Sequence, residues 1–264
     1  MNHTILMQNR QQALQGRSPR KQGEIKKFRA LLWVYRWGWS SPLVIDRIGG
    51  SQNRGLASRL VKSGFLRSTR TAAGKSAKGV PEKILTLTPD GVNEVERRLE
   101  DSNQLLPYEV NPLKINQQNL RHDLLAQTLT ANVFLDGKIK KYLAANETRK
   151  KSTKGIKQFD VIWYTEDETP IGIEVELTSK NARALAQFVQ QIVQAIETNR
   201  VALTFIYSDS KAIIQHYNKQ FKAGNKIDIW KVNEKTRVWH ISDEILTIPE
   251  HIEENVSCLH IDDY

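Results

Sequence analysis

From Glu24 onward the apolar residues Phe28, Leu31, Leu32, Tyr35 and Trp39 recur three and four positions apart, the period of a helix with one buried face. The polar residues before it, 1–23, read as a flexible basic arm carrying Arg17, Arg20 and Lys21. Ser40-Ser41-Pro42 is a helix start, a hydroxyl cap followed by proline in the first turn. It predicts a short helix over 43–48 that stops at Gly49-Gly50. Ser51 then caps a helix over 52–62, with Leu56, Leu60 and Val61 apolar and Gly64 just past its end, where a left-handed residue is wanted. Residues 65–68 read as a short strand and 83–87 as a second, with a Gly/Ala/Ser/Lys-rich segment, 69–81, between them. Thr88-Pro89-Asp90-Gly91 opens a last helix ending near Glu100.

Three helices, a hairpin with a basic tip and a closing helix predict a winged helix-turn-helix over 24–101. That architecture offers Asn53, Arg54, Ser58, Arg59 and Lys62 of the third helix to a DNA groove, and Arg70, Lys75 and Lys78 of the hairpin tip to backbone phosphates. Charge sharpens the picture. Residues 1–100 carry 19 Lys+Arg against 7 Asp+Glu, residues 101–157 carry 10 against 5, and residues 158–264 carry 10 against 17. A basic half suits a polyanion, here double-stranded DNA, and an acidic half suits chemistry that needs carboxylates.

Residues 102–115, polar and interrupted by Pro107 and Pro112, read as a linker. Beyond it, a helix over 119–134 precedes strands over 138–146, 157–164 and 171–178. A helix follows over 180–198, a strand over 202–207, a helix over 211–221 and a strand over 227–232. This α-β-β-β-α-β-α-β order predicts a mixed sheet flanked by helices across 116–232, so the chain as a whole reads as a two-domain protein of the α+β or α/β class. Residues 233–264 are expected to be a peripheral extension. The chain has 264 residues, 39% of them hydrophobic, which fits a globular protein. No run nears the ~18 apolar residues of a membrane span, and the first fifteen residues lack the apolar core of a secretory signal. Cys258 is the single cysteine, so neither an intrachain disulfide nor a cysteine-built zinc site is possible. A cytoplasmic location is expected.

In Ile171-Gly172-Ile173-Glu174-Val175-Glu176-Leu177-Thr178 the alternation puts Glu174 and Glu176 on one face, about 7 Å apart. On the preceding strand Asp160 stands between Phe159 and Val161. An acid embedded in an apolar strand costs several kcal/mol unless compensated. Three such acids on neighbouring strands suit a hard divalent cation, Mg²⁺ or Mn²⁺. Lys180, at the start of the next helix, is in reach of the same pocket and of a scissile phosphate.

This arrangement resembles the PD-(D/E)XK nuclease core, in which an Asp on one strand and an acid-x-Lys on the next bind metal and activate water. Here Asp160 and Glu174-Val175-Glu176 take those places, with Glu176 where the lysine usually stands and Lys180 as a relocated lysine. The whole layout is a winged helix, a helix with Arg121-His122-Asp123, the Phe159-Asp160 strand, and the Glu-x-Glu strand with Thr178 and Lys180. It looks like the replication-relaxation superfamily and, within it, the MobC-type plasmid relaxases. The resemblance implies a DNA relaxase that binds an origin of transfer and nicks one strand by metal-dependent phosphodiester chemistry, with accessory mobilisation proteins as partners. Asp160 and Glu174 would hold the metal, Glu176 would be a further ligand or a base, and Lys180 would stabilise the phosphorus centre. His122 or Glu147 would add an outer contact. Two other functions fit the same residues: a restriction-like or transposon-type endonuclease cutting both strands, and a winged-helix replication or transcription regulator whose nuclease fold is inactive.

Overall fold

A computed structural model describes residues 16, 18–50, 55–99, 104–150 and 157–263. The protein is a mixed α+β structure of two compact units, Met1–Gln117 and Gln118–Tyr264.

In the first unit, α1 spans Pro19–Trp37. The Ser18 hydroxyl accepts from the Lys21 amide at 3.2 Å and Pro19 fills the first turn, so the helix begins ahead of Glu24. Arg20 and Lys21 therefore belong to this helix and not to a flexible arm. α2 (Pro42–Ile48) starts as expected, with Ser41 accepting from the Val44 amide at 3.3 Å. α3 spans Leu56–Lys62, and the expected cap at Ser51 falls on 51–54, outside the described residues. The start of α3 is instead held from a distance. The buried Asp46 carboxylate accepts from the Gly55 amide at 2.9 Å and the Ala57 amide at 2.8 Å, which satisfies donors that a helix start leaves open.

β1 (Leu66–Arg70) pairs antiparallel with β2 (Lys83–Leu87), and Ser40 bridges to Leu85 beside them. α4 (Pro89–Glu96) is capped by Thr88 and stops ahead of Glu100. Leu31, Val34, Ile45, Ile48, Ile84 and Leu85 form the buried centre of this unit. The stretch read as a linker is tied to it. Tyr108 donates its hydroxyl to the Gly38 carbonyl at 2.8 Å, accepts from the Leu87 amide at 2.9 Å, and stacks on Tyr35.

In the second unit, α5 (Leu120–Leu135) is followed by β3 (Lys141–Ala144), the short α6 (Ala145–Lys150), β4 (Val161–Tyr164) and β5 (Pro170–Val175). α7 (Ala182–Glu197) leads to β6 (Leu203–Ser208) and α8 (Lys211–Gln220). The sheet order is β3-β4-β5-β6, an antiparallel meander whose third strand then runs parallel to β6. The fifth strand corrects the sequence reading. β7 (Lys226–Val232) does not close this sheet; it pairs antiparallel with β8 (Trp239–Thr247) as a separate ribbon. After α9 (Glu250–Asn255), β9 (Val256–His260) takes the place beside β6, in parallel. Residues 256–260 therefore belong to the sheet and are not peripheral. β7 carries Lys226, Asp228 and Lys231, charges that a strand beside β6, packed against helices, would have to bury.

α7 shows why the sheet is covered. Leu185, Phe188, Val189, Ile192 and Ile196 share its buried face and pack with Phe159, Ile206, Tyr217 and Ile252. Gly172 is required at its place in β5, since a Cβ there would sit 2.4 Å from the ring of Phe159. Among the described residues no helix is long and apolar enough to cross a membrane.

Candidate functional site

β5 lies inside the sheet, so its acids cannot be a solvated edge. Glu174 is 4% exposed and Glu176 6%. Asp160 stands one residue ahead of β4, its amide donating to the Ile173 carbonyl at 3.1 Å, and its Oδ2 accepts from the Val175 amide at 2.8 Å. Glu176 stands one residue past β5, held by its amide on the Tyr207 carbonyl at 2.8 Å. The three acids thus gather where β5 ends and β4 begins. They line one cavity of 490 Å³ together with His122, Lys157 and Lys180. The sheet brings Asp160, Glu174, Glu176 and Lys180 together, with His122 supplied by the first turn of α5.

Each acid has a cation. His122 Nε2 lies 3.1 Å from Asp160 Oδ2, and His122 Nδ1 lies 3.0 Å from Asp123 Oδ1. Lys157 Nζ lies 2.7 Å from Glu174 Oε2. Lys180 Nζ donates to both Glu176 oxygens, at 2.6 and 2.8 Å. Burial disfavours a charged His122 ring, but its two carboxylate partners outweigh that and raise it to about 10. Burial likewise opposes ionisation of Asp160, yet His122, the Val175 amide and Lys157 hold its carboxyl below the usual range. Glu174 goes the other way. Burial pushes it up to about 8, Lys157 pulls it down, and the charges of Asp160 and Glu176 raise it again. The three carboxyls therefore feel one another across the cavity.

One oxygen of the cluster has an unmet need: Glu174 Oε1 is buried with no hydrogen-bond partner. Burial, followed by the nearby negative charge of Glu176, raises the Tyr217 hydroxyl well above its ordinary value. An orphaned buried carboxylate oxygen is costly. Together with an all-oxygen donor set it fits a hard dication at Asp160 and Glu174. As the side chains stand, no group of three His, Cys, Asp or Glu among the described residues is arranged to hold a metal ion; the ion pairs take up the carboxylates.

Lys157 is the site residue that sequence reasoning missed. In the sequence it falls at the end of the net-basic stretch 101–157, but its side chain is 9% exposed and its ammonium lies 4.7 Å from the Phe188 ring centre. Its carbonyl accepts from the Arg200 guanidinium. The signal was present: a lysine at the edge of an apolar strand, three residues before the acid embedded in it. Glu147, expected as an outer contact, stands outside this group. It does not line the cavity. Its Oε2 accepts from the Ala144 amide at 2.9 Å, satisfying backbone where the chain turns from β3 into α6.

In the first unit, Ser58, Arg59 and Lys62 form the exposed face of α3, opposite the buried Leu56, Ala57 and Leu60. Asn53 and Arg54 lie outside the described residues. Lys75 and Lys78 are exposed in the loop between β1 and β2, and Arg70 at the end of β1 is 3.4 Å from Glu82. Compared with protein-family models, with curated proteins and with solved structures, the chain finds no match in any of the three.

Proposed function

We propose that the protein is a metal-dependent DNA endonuclease of the nicking, relaxase-like kind. In this reading the first unit is a winged helix that grips duplex DNA and the second a PD-(D/E)XK-like core that cuts it. The observation that carries the reading is the meeting of Asp160, Glu174 and Glu176 with two lysines at one cavity of 490 Å³, on a meander followed by parallel strands. The three-helix, hairpin and helix order of the first unit, with the cations of α3 and the hairpin, supports the DNA-gripping part.

Asp160 and Glu174 are the residues to hold Mg²⁺ or Mn²⁺. Such an ion supplies polarisation of a phosphate oxygen and a lowered pKa for a bound water. The chain's own groups do the rest. His122 and the Val175 amide hold Asp160 in its ionised form and in place. Lys157, 2.7 Å from Glu174 Oε2, is the cation that the Glu174 carboxylate meets when it ionises. Lys180, tethered by Glu176, presents positive charge to a phosphate in the cavity, and Glu176 serves as a further ligand or a base.

The non-enzymatic reading stays alive for a specific reason: every acid is already paired with a cation. Supercoiled plasmid bearing a candidate transfer origin, incubated with Mg²⁺ or Mn²⁺, separates the readings. Open circles that vanish in Asp160→Asn and Glu174→Gln support the nickase. Linear product supports a double-strand cutter. Unchanged plasmid with a retarded band on a gel supports a DNA-binding regulator.

A further inference from the structure

A second cavity, of 380 Å³, opens on the other side of Lys180 between α7, α8 and β7. Its lining includes His216, Gln220, Lys226, Asp228 and Trp230 as well as Lys180. We infer that this cavity receives one unstacked base of a DNA strand whose phosphate lies at the carboxylate site. The inference rests on the nuclease reading of the first cavity.

Size is the first argument. The cavity falls at the lower end of the roughly 300–1,000 Å³ that small ligands occupy, room for a nucleotide and not for a folded partner. Chemistry is the second. Each part of a nucleotide has a counterpart in the lining. Trp230 is half-buried and packed against the apolar core, a rigid ring on which a base can stack without regard to sequence. Gln220 and His216 offer donors and acceptors to a base edge, as protein groups do for splayed-out bases. The exposed Asp228 carboxylate repels phosphate but accepts from an exocyclic amine. Lys226 and Lys180 carry positive charge for the flanking phosphates.

Position is the third argument. Ser179 and Lys180 line this cavity, and Lys180 also lines the carboxylate cavity. A strand with one phosphate at Asp160 and Glu174 therefore carries its neighbouring nucleotide past Lys180. The backbone that bears the platform is pinned, with the Gln190 side chain donating to the Asp228 carbonyl at 2.9 Å. Next to it the ribbon loses register between Asp228 and Trp230, where Ile229 faces the stretch between Ile245 and Ile241. Irregularities of this kind bend a ribbon and re-aim its side chains, and they gather beside working sites.

The test uses the full chain and a single-stranded oligonucleotide of about five nucleotides with one 2-aminopurine, in EDTA so that nothing is cleaved. Stacking on Trp230 quenches the probe. Trp230→Leu keeps apolar packing and removes the stacking face; it is expected to abolish the quench and weaken binding roughly five- to 150-fold. Trp230→Phe retains a ring and is expected to restore most of the quench. Asp160→Asn is expected to lose plasmid nicking while keeping the quench, so the two proposals fail separately. Nicking by the wild type with an unchanged quench in Trp230→Leu overturns the base pocket and leaves the nuclease. A Trp230-dependent quench with no nicking under any metal keeps the pocket and overturns the nuclease. No quench in the wild type, either in EDTA or with Ca²⁺ supplied as a hard dication for the carboxylates, overturns the pocket outright.

Discussion

Replacing Lys157 by Met tests the electrostatics of the cavity most sharply. The ammonium lies 2.7 Å from Glu174 Oε2, with side-chain exposures of 9% and 6%. Removing one partner of a buried pair costs about 3–5 kcal/mol if the survivor stays charged. Glu174 has a way out, because burial already raises its carboxyl from the ordinary 4.5 to about 8. Between those two values the native state keeps a proton that the unfolded chain has lost. Stability therefore falls with rising pH in that window, by up to about 1.4 kcal/mol per unit. In the wild type the fall levels off near pH 8, where the carboxylate ionises against Lys157. In Lys157→Met no partner waits, so the fall continues. The loss relative to wild type is expected to be about 1–2 kcal/mol at pH 6 and to climb towards ~3–5 kcal/mol above pH 9. Adding Glu174→Gln should flatten the profile. Urea titrations at pH 6–9.5, read by pulse-labelling hydrogen exchange in β4 and β5, score the second unit separately. A loss that is the same at pH 6 and pH 9, or one that Glu174→Gln does not relieve, would mean that Lys157 and Glu174 are not electrostatically coupled.

Three other outcomes follow from the structure. Asp46→Ala removes both acceptors at the start of α3 and should destabilise the first unit by about 1–2 kcal/mol, read by calorimetry; an unchanged transition counts against a remote cap. Gly172→Ala drives a methyl into the ring of Phe159 and should destabilise the second unit by about 1–3 kcal/mol, with Phe159 displaced in a crystal structure of the variant. If about six to eight cations of the first unit meet phosphates, log K for duplex DNA should fall against log salt with a slope of roughly −5 to −7; a slope near zero in a filter-binding titration removes DNA as the partner.

The elements most legible in the sequence were those fixed by local chemistry. Ser41-Pro42 and Thr88-Pro89 marked helix starts because capping is a nearest-neighbour interaction. The alternation along 171–178 put Glu174 and Glu176 on one face, and both line the same cavity. What the pattern could not carry was long-range pairing. α3 is started by Asp46, from the preceding helix, and no window around α3 contains that information. β7 and β9 are both short and mixed in polarity, and only sheet partnership decides that β9 lies beside β6. Lys157 looked like one more charge in a basic stretch, because its burial depends on Phe188 from α7 and Glu174 from β5. Glu147 carried the opposite ambiguity: a lone acid beside a strand reads equally as a site contact or as a backbone cap, and it is a cap.

Whether the clustered acids at the end of β5 hold a hard dication, as proposed above, is tested without any substrate by a crystal soaked in Mn²⁺ and measured at the manganese edge. The expected result is an anomalous peak roughly 2.0–2.3 Å from oxygens of Asp160 and Glu174, with Lys157 moved off Glu174 and the peak absent in Asp160→Asn. Saturating Mn²⁺ with no peak in the cavity, and the three ion pairs intact, would rule out a metal site there.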